Sequence, residues 1–244
     1  MMFESSLSFS QDFSSEAIYK VTISKSFNLV NDSILKTYPK ERSSVLRNIL
    51  TKTSNSVKSN IQFIENILIF NNYEASYKKS ESLDSDLNET VIITGSYGLY
   101  YYNKRTNEKI RQTEAYGQLF LISSKLNERK WVLTQDSKTI SGYLCYKATS
   151  TLVTRNSKGT FYKPITAWYA PKLSVPYGPK GYGGLPGLIL QLTEGDFTFY
   201  VSKLTLNPKK AIKIKIPTKG KKVTQKEFEK IGKESSLNFV KMRN

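Results

Sequence analysis

Gly142-Tyr143-Leu144-Cys145-Tyr146-Lys147-Ala148-Thr149-Ser150-Thr151-Leu152-Val153-Thr154, a polar turn near Asn156 to Gly159, and Phe161-Tyr162-Lys163-Pro164-Ile165-Thr166-Ala167-Trp168-Tyr169 decide the fold class. Such β-branched and aromatic side chains fit a pleated surface and lose rotamer freedom in a helix. The turn is too short for a parallel pair, which needs a crossover of a dozen residues or more, so the two runs form an antiparallel hairpin. The same texture continues on both sides. From Val91 onward strands follow one another closely: Ser96 to Tyr102, Glu108 to Gln112, Gly117 to Ile122 and Trp131 to Leu133. Beyond the hairpin, Gly187 to Leu192 and Phe197 to Leu206 flank a turn at Glu194-Gly195-Asp196. Ala17 to Ser24 and Ile61 to Tyr77 also have strand composition.

Two segments depart from this pattern. Residues 39–60 are polar, with Val45, Leu46, Ile49 and Leu50 spaced for one amphipathic helix. Thr224 to Gly232 opens with Thr224 and Glu227 at capping-box spacing. Ser80 to Thr90 is acidic, Ser-rich and expected to be an exposed loop. The expected fold is therefore mainly β with a minor α part: a curved antiparallel sheet or half-barrel with one or two helices. We expect residues 12–244 to form a single antiparallel β-rich domain with a Lys-rich C-terminal region. In that region Ile212, Ile214 and Ile216 alternate with Lys213 and Lys215, the pattern of a protected edge strand.

Composition narrows the chemistry. Hydrophobic residues are 39% of the 244, with 16 Tyr and 12 Phe, enough for a substantial core. The absence of His removes Ser-His-Asp and Cys-His catalysis and His-ligated metal or haem. The one Cys, Cys145, forms no internal disulfide and no Cys cluster. No cofactor and no metal site are expected. The formal charge of +17 attracts anionic partners in general. Lysine greatly outnumbers arginine, the residue that grips phosphate with a bidentate fork, so nucleic acid is not the expected partner. No apolar run approaches the roughly 18 residues of a transmembrane helix. At residues 1–11, Ser8-Phe9-Ser10 before Gln11 has the small-x-small form of a cleavage site. That stretch reads either as the remnant of a signal peptide or as a disordered N-terminus.

Two blocks carry a resemblance. One is Trp131-Val132-Leu133-Thr134 followed by Lys138 to Thr149. The other is Ala167-Trp168-Tyr169-Ala170-Pro171, Pro176-Tyr177-Gly178-Pro179 and Gly181-Tyr182-Gly183-Gly184-Leu185-Pro186-Gly187-Leu188-Ile189-Leu190. In this order and spacing the chain resembles the GLPGLI family of exported proteins found mainly in Bacteroidetes-type bacteria, most strongly over residues 130–192. The resemblance implies a β-rich body, an N-terminal signal and a periplasmic or envelope location, and tips the first residues toward export. It also implies an accessory role beside outer-membrane components, and brings no catalytic residue with it.

The Gly178 to Gly187 segment lacks phosphate-loop spacing and leads into a strand-like run where nucleotide motifs need a helix. Its prolines and glycines suit a rigid connection between strands. Binding is expected beside it, on Trp168, Tyr169, Tyr177, Lys180, Tyr182, Gly183 and Gly184. Cys145 is expected in the core, although Lys147 on the same strand face offers a charge to lower its pKa. Glu194, Asp196 and Asp136 are the carboxylates open to acid–base work. The expected function is a non-enzymatic, exported envelope protein that binds or assists a lipid, a peptide or an outer-membrane partner. The alternatives are a carboxylate-dependent hydrolase and a polyanion-binding protein acting through its Lys-rich tail.

Overall fold

The computed structural model describes residues 14–81, 87–156, 159–210 and 212–241. The expected signal remnant at 1–11 lies outside the described residues, as do the middle of the acidic loop and the tip of the 143–170 hairpin. The strands are β1 (Ser15–Ile23), β2 (Glu65–Phe70), β3 (Glu74–Lys79), β4 (Leu99–Asn103), β5 (Glu108–Ala115) and β6 (Gln118–Lys125). Then come β7 (Val132–Ile140), β8 (Tyr143–Asn156), β9 (Gly159–Ala170), β10 (Leu188–Glu194), β11 (Phe197–Thr205) and β12 (Lys221–Thr224). The helices are α1 (Asp32–Leu35), α2 (Lys40–Asn60), α3 (Asn88–Thr94) and α4 (Gln225–Lys241).

All twelve strands form one open sheet, ordered β12-β6-β5-β4-β3-β2-β1-β11-β10-β9-β8-β7. β1 lies inside the order, flanked by a meander that runs out through β2 to β6 and another that returns from β7 to β11. Neighbours are antiparallel except β12, which adds parallel to β6. The connection from β6 to β7 requires curvature. Those strands lie ten positions apart in the order, about 48 Å in a flat sheet with ~4.8 Å between strands. The link from Lys125 to Val132 spans at most about 25 Å even when fully extended. The sheet therefore curls until its two halves face each other. The linker ties them: Asn127 N donates to Asn107 Oδ1 on one half, while Ser150 Oγ on the other donates to Lys130 O.

Register sorts the side chains, because residues paired across a ladder share a face. Tyr19, Leu68, Tyr77, Tyr100 and Arg111 face inward on one half, and Phe199, Leu192, Ala167 and Ala148 on the other. Most of these join one continuous buried cluster. Phe120, Ile122 and Val223 form a smaller cluster under Phe228 and Ile231 of α4.

Three expectations are corrected. The strands do not begin at Val91, because Asn88–Thr94 is helical and ends at Gly95 with φ +70°. Leu87, Thr90, Val91 and Thr94 recur at helical spacing and are buried, while Ile92 points outward, so packing overrides the β preference of a branched run. In α2 the residues turned toward the core are Leu46, Leu50, Ser54 and Val57, while Val45 and Ile49 are 58% and 53% exposed. The Ile212–Ile216 run is not a strand. It lies across the outer face of the sheet rather than along an edge, with Lys215 N donating to Ser76 Oγ (3.1 Å) and Gln112 Nε2 to Lys219 O (2.7 Å). A segment crossing strands cannot form a ladder, and pairing resumes only at Lys221, where the chain turns parallel to β6.

Candidate functional site

Residues 171–187 connect β9 to its neighbour β10 by way of the concave side of the sheet. Val175, Tyr177, Tyr182 and Leu185 are buried there. Backbone bonds give the insert its shape: Gly184 N to Pro176 O, Tyr182 N to Pro179 O, Leu188 N to Leu173 O and Ile189 N to Tyr177 O. Side chains from β4, the β6–β7 linker and β1 hold it. Tyr102 Oη donates to Gly178 O (2.8 Å) and accepts from Gly181 N (2.9 Å). Trp131 Nε1 donates to Gly183 O (3.0 Å), and Tyr19 Oη to Ile189 O (2.6 Å). Glycine is required by close approach. A Cβ on Gly183 would lie 2.5 Å from Pro176 O, and one on Gly187 would lie 2.3 Å from Ala170 O.

Beside the insert opens a cleft of about 430 Å³, bounded by β4–β6, the β6–β7 linker, β8, β10 and the start of α4. Its buried electrostatic centre is Glu194, from the inner face of β10. Glu194 Oε2 accepts from Lys180 Nζ and Tyr182 Oη, each at 2.9 Å, and Lys163 Nζ approaches Oε1 at 3.7 Å. The Lys180 and Glu194 side chains are 10% and 12% exposed. Lys180 takes up a left-handed backbone, φ +55°, that is uncommon for a non-glycine residue. Burial pushes the Glu194 carboxyl up, but Lys180, the Tyr182 hydroxyl and Lys163 outweigh it and hold its pKa below the ordinary value. Burial lowers the Lys180 ammonium despite the adjacent carboxylate. Burial, then the charge of Glu194, raises the Tyr182 phenol. Glu194 is thus an ionised carboxylate already engaged by three partners, unsuited to act as a general acid near neutral pH.

The residues expected to bind do not form one surface. Lys180 and Tyr182 line the cleft, and Gly183 and Gly184 shape the insert behind them. Tyr177 is fully buried against Tyr102, with ring centroids 5.7 Å apart. Tyr169 is buried and packs on Tyr146. Trp168 faces the opposite side of the sheet, where Lys138 Nζ sits 4.2 Å from its ring centroid and donates to Gln191 Oε1. The carboxylates do not converge either. Asp196 accepts from Ser24 Oγ, and Asp136 pairs with Lys147 at 2.8 Å. That pairing occupies the lysine expected to offer Cys145 a charge, and the thiol is buried and pushed up by desolvation. Among the described residues no group of three or more Asp, Glu or Cys side chains is placed to hold a metal.

The arginines of the cleft are not among the residues expected to bind. Arg111 lies on the inner face of β5, its guanidinium carbon 5.6 Å from the Tyr97 centroid, 5.8 Å from Phe228 and 6.0 Å from Tyr100. Arg129, from the β6–β7 linker, lies 4.7 Å over Tyr182 and donates to Thr151 O at 3.4 Å. Only seven of the 37 basic residues are arginine, so their scarcity was a usable signal. Their convergence was not, because it depends on how the sheet curls.

No helix of the described residues is long and apolar enough to cross a membrane. A family model described as a protein of unknown function (Porph_ging) matches residues 155–191, which take in the end of β8, all of β9, the insert and the first residues of β10. No curated protein matches the chain. Among solved structures, PNGF-II in its C2 crystal form aligns with a TM-score of 0.52 at 15% identity, over 89% of this chain and 32% of that one. The P21 form of PNGF-II gives 0.51 at 16% identity over the same shares. The chain thus spans about a third of the length of PNGF-II (32%), and what it shares with that protein is the fold.

Proposed function

We propose that this chain is an exported, non-enzymatic binding module of the cell envelope, of the GLPGLI type, and that it takes its ligand on the concave side of the sheet. The ligand is a small molecule, a lipid head group or a segment of an envelope partner. One observation carries the proposal: the cleft is walled by both halves of the curled sheet, and Glu194, its buried carboxylate, is already neutralised by Lys180. A concave site with a few convergent polar groups suits recognition. A hydrolytic site needs a second carboxyl placed across the cleft from the first, and Asp196 and Asp136 are engaged elsewhere. Export is supported by the small-x-small residues at 8–10 and by the GLPGLI-like blocks. The likeness to PNGF-II adds nothing on activity, since it is one of fold over part of that chain.

Two measurements test the proposal. Fractionation of source cells should place the protein in the periplasmic or membrane fraction with its N-terminus processed. Native mass spectrometry of the protein purified from those cells should show a bound small molecule or peptide that is lost in Leu152→Trp, which fills the cleft from β8. Cytosolic location, or a bound species unaffected by the filled cleft, would refute it.

A further inference from the structure

We propose that the cleft selects organic anions. A carboxylate or phosphoryl group would be held between Arg111 and Arg129, with the ligand's body against Tyr100, Ile122 and Leu152. The inference rests on the cleft being the binding site and adds the ligand's chemical class.

The charges in the cleft are unequally committed. Lys109 is paired with Glu128 at 2.9 Å and Lys180 with Glu194 at 2.9 Å. Arg111 and Arg129 also line the cleft, and neither has a carboxylate within 4 Å among the described residues. Against them stands Glu229 of α4, which accepts from Gln225 Nε2 at 2.9 Å and has no cation within 4 Å among the described residues. Two arginines thus face one opposing carboxylate, and Lys163 adds further positive charge behind Glu194.

Both guanidinium groups are also held in place before any ligand arrives. Arg111 lies among the rings of Tyr97, Tyr100 and Phe228. Its Nε is buried with no hydrogen-bond partner among the described residues. Arg129 is stacked on Tyr182, whose hydroxyl is tied to Glu194. A planar fork fixed on aromatic rings loses little freedom when it accepts a planar or tetrahedral oxyanion. The remaining wall is mixed: Tyr100 and Ile122 supply apolar surface on one side and Leu152 on the other. An inorganic ion would satisfy the arginines and leave that wall wet, whereas an anion carrying an aromatic or aliphatic body uses both.

Titration calorimetry at low salt tests this with four probes: phenyl phosphate, benzoate, inorganic phosphate and the neutral benzyl alcohol. We expect phenyl phosphate or benzoate to bind at least about tenfold more tightly than benzyl alcohol, the scale of one charge-assisted hydrogen bond. Whichever is tighter identifies the group as phosphoryl or carboxylate, and inorganic phosphate should bind more weakly than phenyl phosphate. Arg111→Met and Arg129→Met should each weaken the anion about tenfold with unchanged circular dichroism. Glu229→Gln, at an exposed helix position, should tighten it several-fold. Benzyl alcohol binding as tightly as the anions would overturn anion selection while leaving a binding cleft. Anion binding indifferent to Arg111→Met, Arg129→Met and Glu229→Gln would place the ion elsewhere and overturn it. Absence of binding by all four probes would also overturn it, and the cleft itself would then stand or fall on the native mass spectrum.

Discussion

Three inward-facing tyrosines separate the contribution of hydrogen bonds from that of ring packing. Tyr102, Tyr19 and Tyr77 are each essentially fully buried, but their hydroxyls make two, one and no hydrogen bonds among the described residues. Phenylalanine keeps the ring and removes only the hydroxyl. In Tyr102→Phe, Gly178 O loses its donor and Gly181 N–H loses its acceptor inside the insert. A buried polar group left unpaired costs about 1–3 kcal/mol, and an orphaned N–H is less tolerated than a carbonyl with a second lone pair. We therefore expect a loss of about 2–4 kcal/mol. For a chain of this size that lowers Tm by about 4–16 °C, at roughly 2–4 °C per kcal/mol. Tyr19→Phe leaves a single carbonyl, Ile189 O, short of a donor and should cost about 1 kcal/mol. Tyr77→Phe removes a hydroxyl buried without a partner, so it should be neutral or stabilising by up to about 1 kcal/mol. Urea unfolding followed by tryptophan fluorescence measures all three, with equal m-values confirming a common unfolded state. A Tyr77→Phe variant as unstable as Tyr102→Phe would refute the reasoning, since the loss would then not follow the number of hydrogen bonds each hydroxyl makes.

Two further outcomes follow from the same interior. Because its partners hold the Glu194 carboxyl below its ordinary value, the unfolded chain binds its proton first as pH falls. The stability it contributes is present above the unfolded value near 4.5 and is lost as pH falls through the folded one. Urea midpoints from pH 6 to pH 3 should fall less steeply in Glu194→Gln than in wild type, and the variant should already be destabilised by about 3 kcal/mol at pH 6, where Lys180 is left buried without its counter-charge; parallel curves would remove the ion pair from the account. Gly187→Ala places a Cβ against the backbone of Ala170 and Pro171 and should cost about 3 kcal/mol or more. Calorimetry reads it directly, and a Tm within a degree of wild type would show that the β9–β10 junction can shift.

The antiparallel character of β8 to β11 was legible residue by residue, because alternation and short polar turns are local properties. The same held for α2 as a helix and for the Thr224 and Glu227 capping box, in which Thr224 N donates to Glu227 Oε2 at 2.7 Å. Legibility ended where a local preference met a long-range partner. Val91 to Thr94 is a branched run that becomes helical because one side of it is buried. Ile212 to Ile216 alternates like a strand yet crosses the outer face, held by Ser76 and Gln112. In the expected site, Trp168 and Tyr169 are neighbours in sequence and therefore point to opposite faces of β9, a period-2 consequence that the sequence already contained.

What the sequence determines alone is the inventory: a β-rich chain with no histidine, one cysteine, scarce arginine and a Gly–Pro insert between two strands. Each follows from composition or from patterns a few residues long. Only the tertiary structure decides that the insert folds into the concave side, that Glu194 meets Lys180 there, and that Arg111 and Arg129 come to the same cleft. Those meetings depend on the curl of a twelve-stranded sheet. The short β6–β7 link imposes that curl on the sheet as a whole, and no local pattern encodes it.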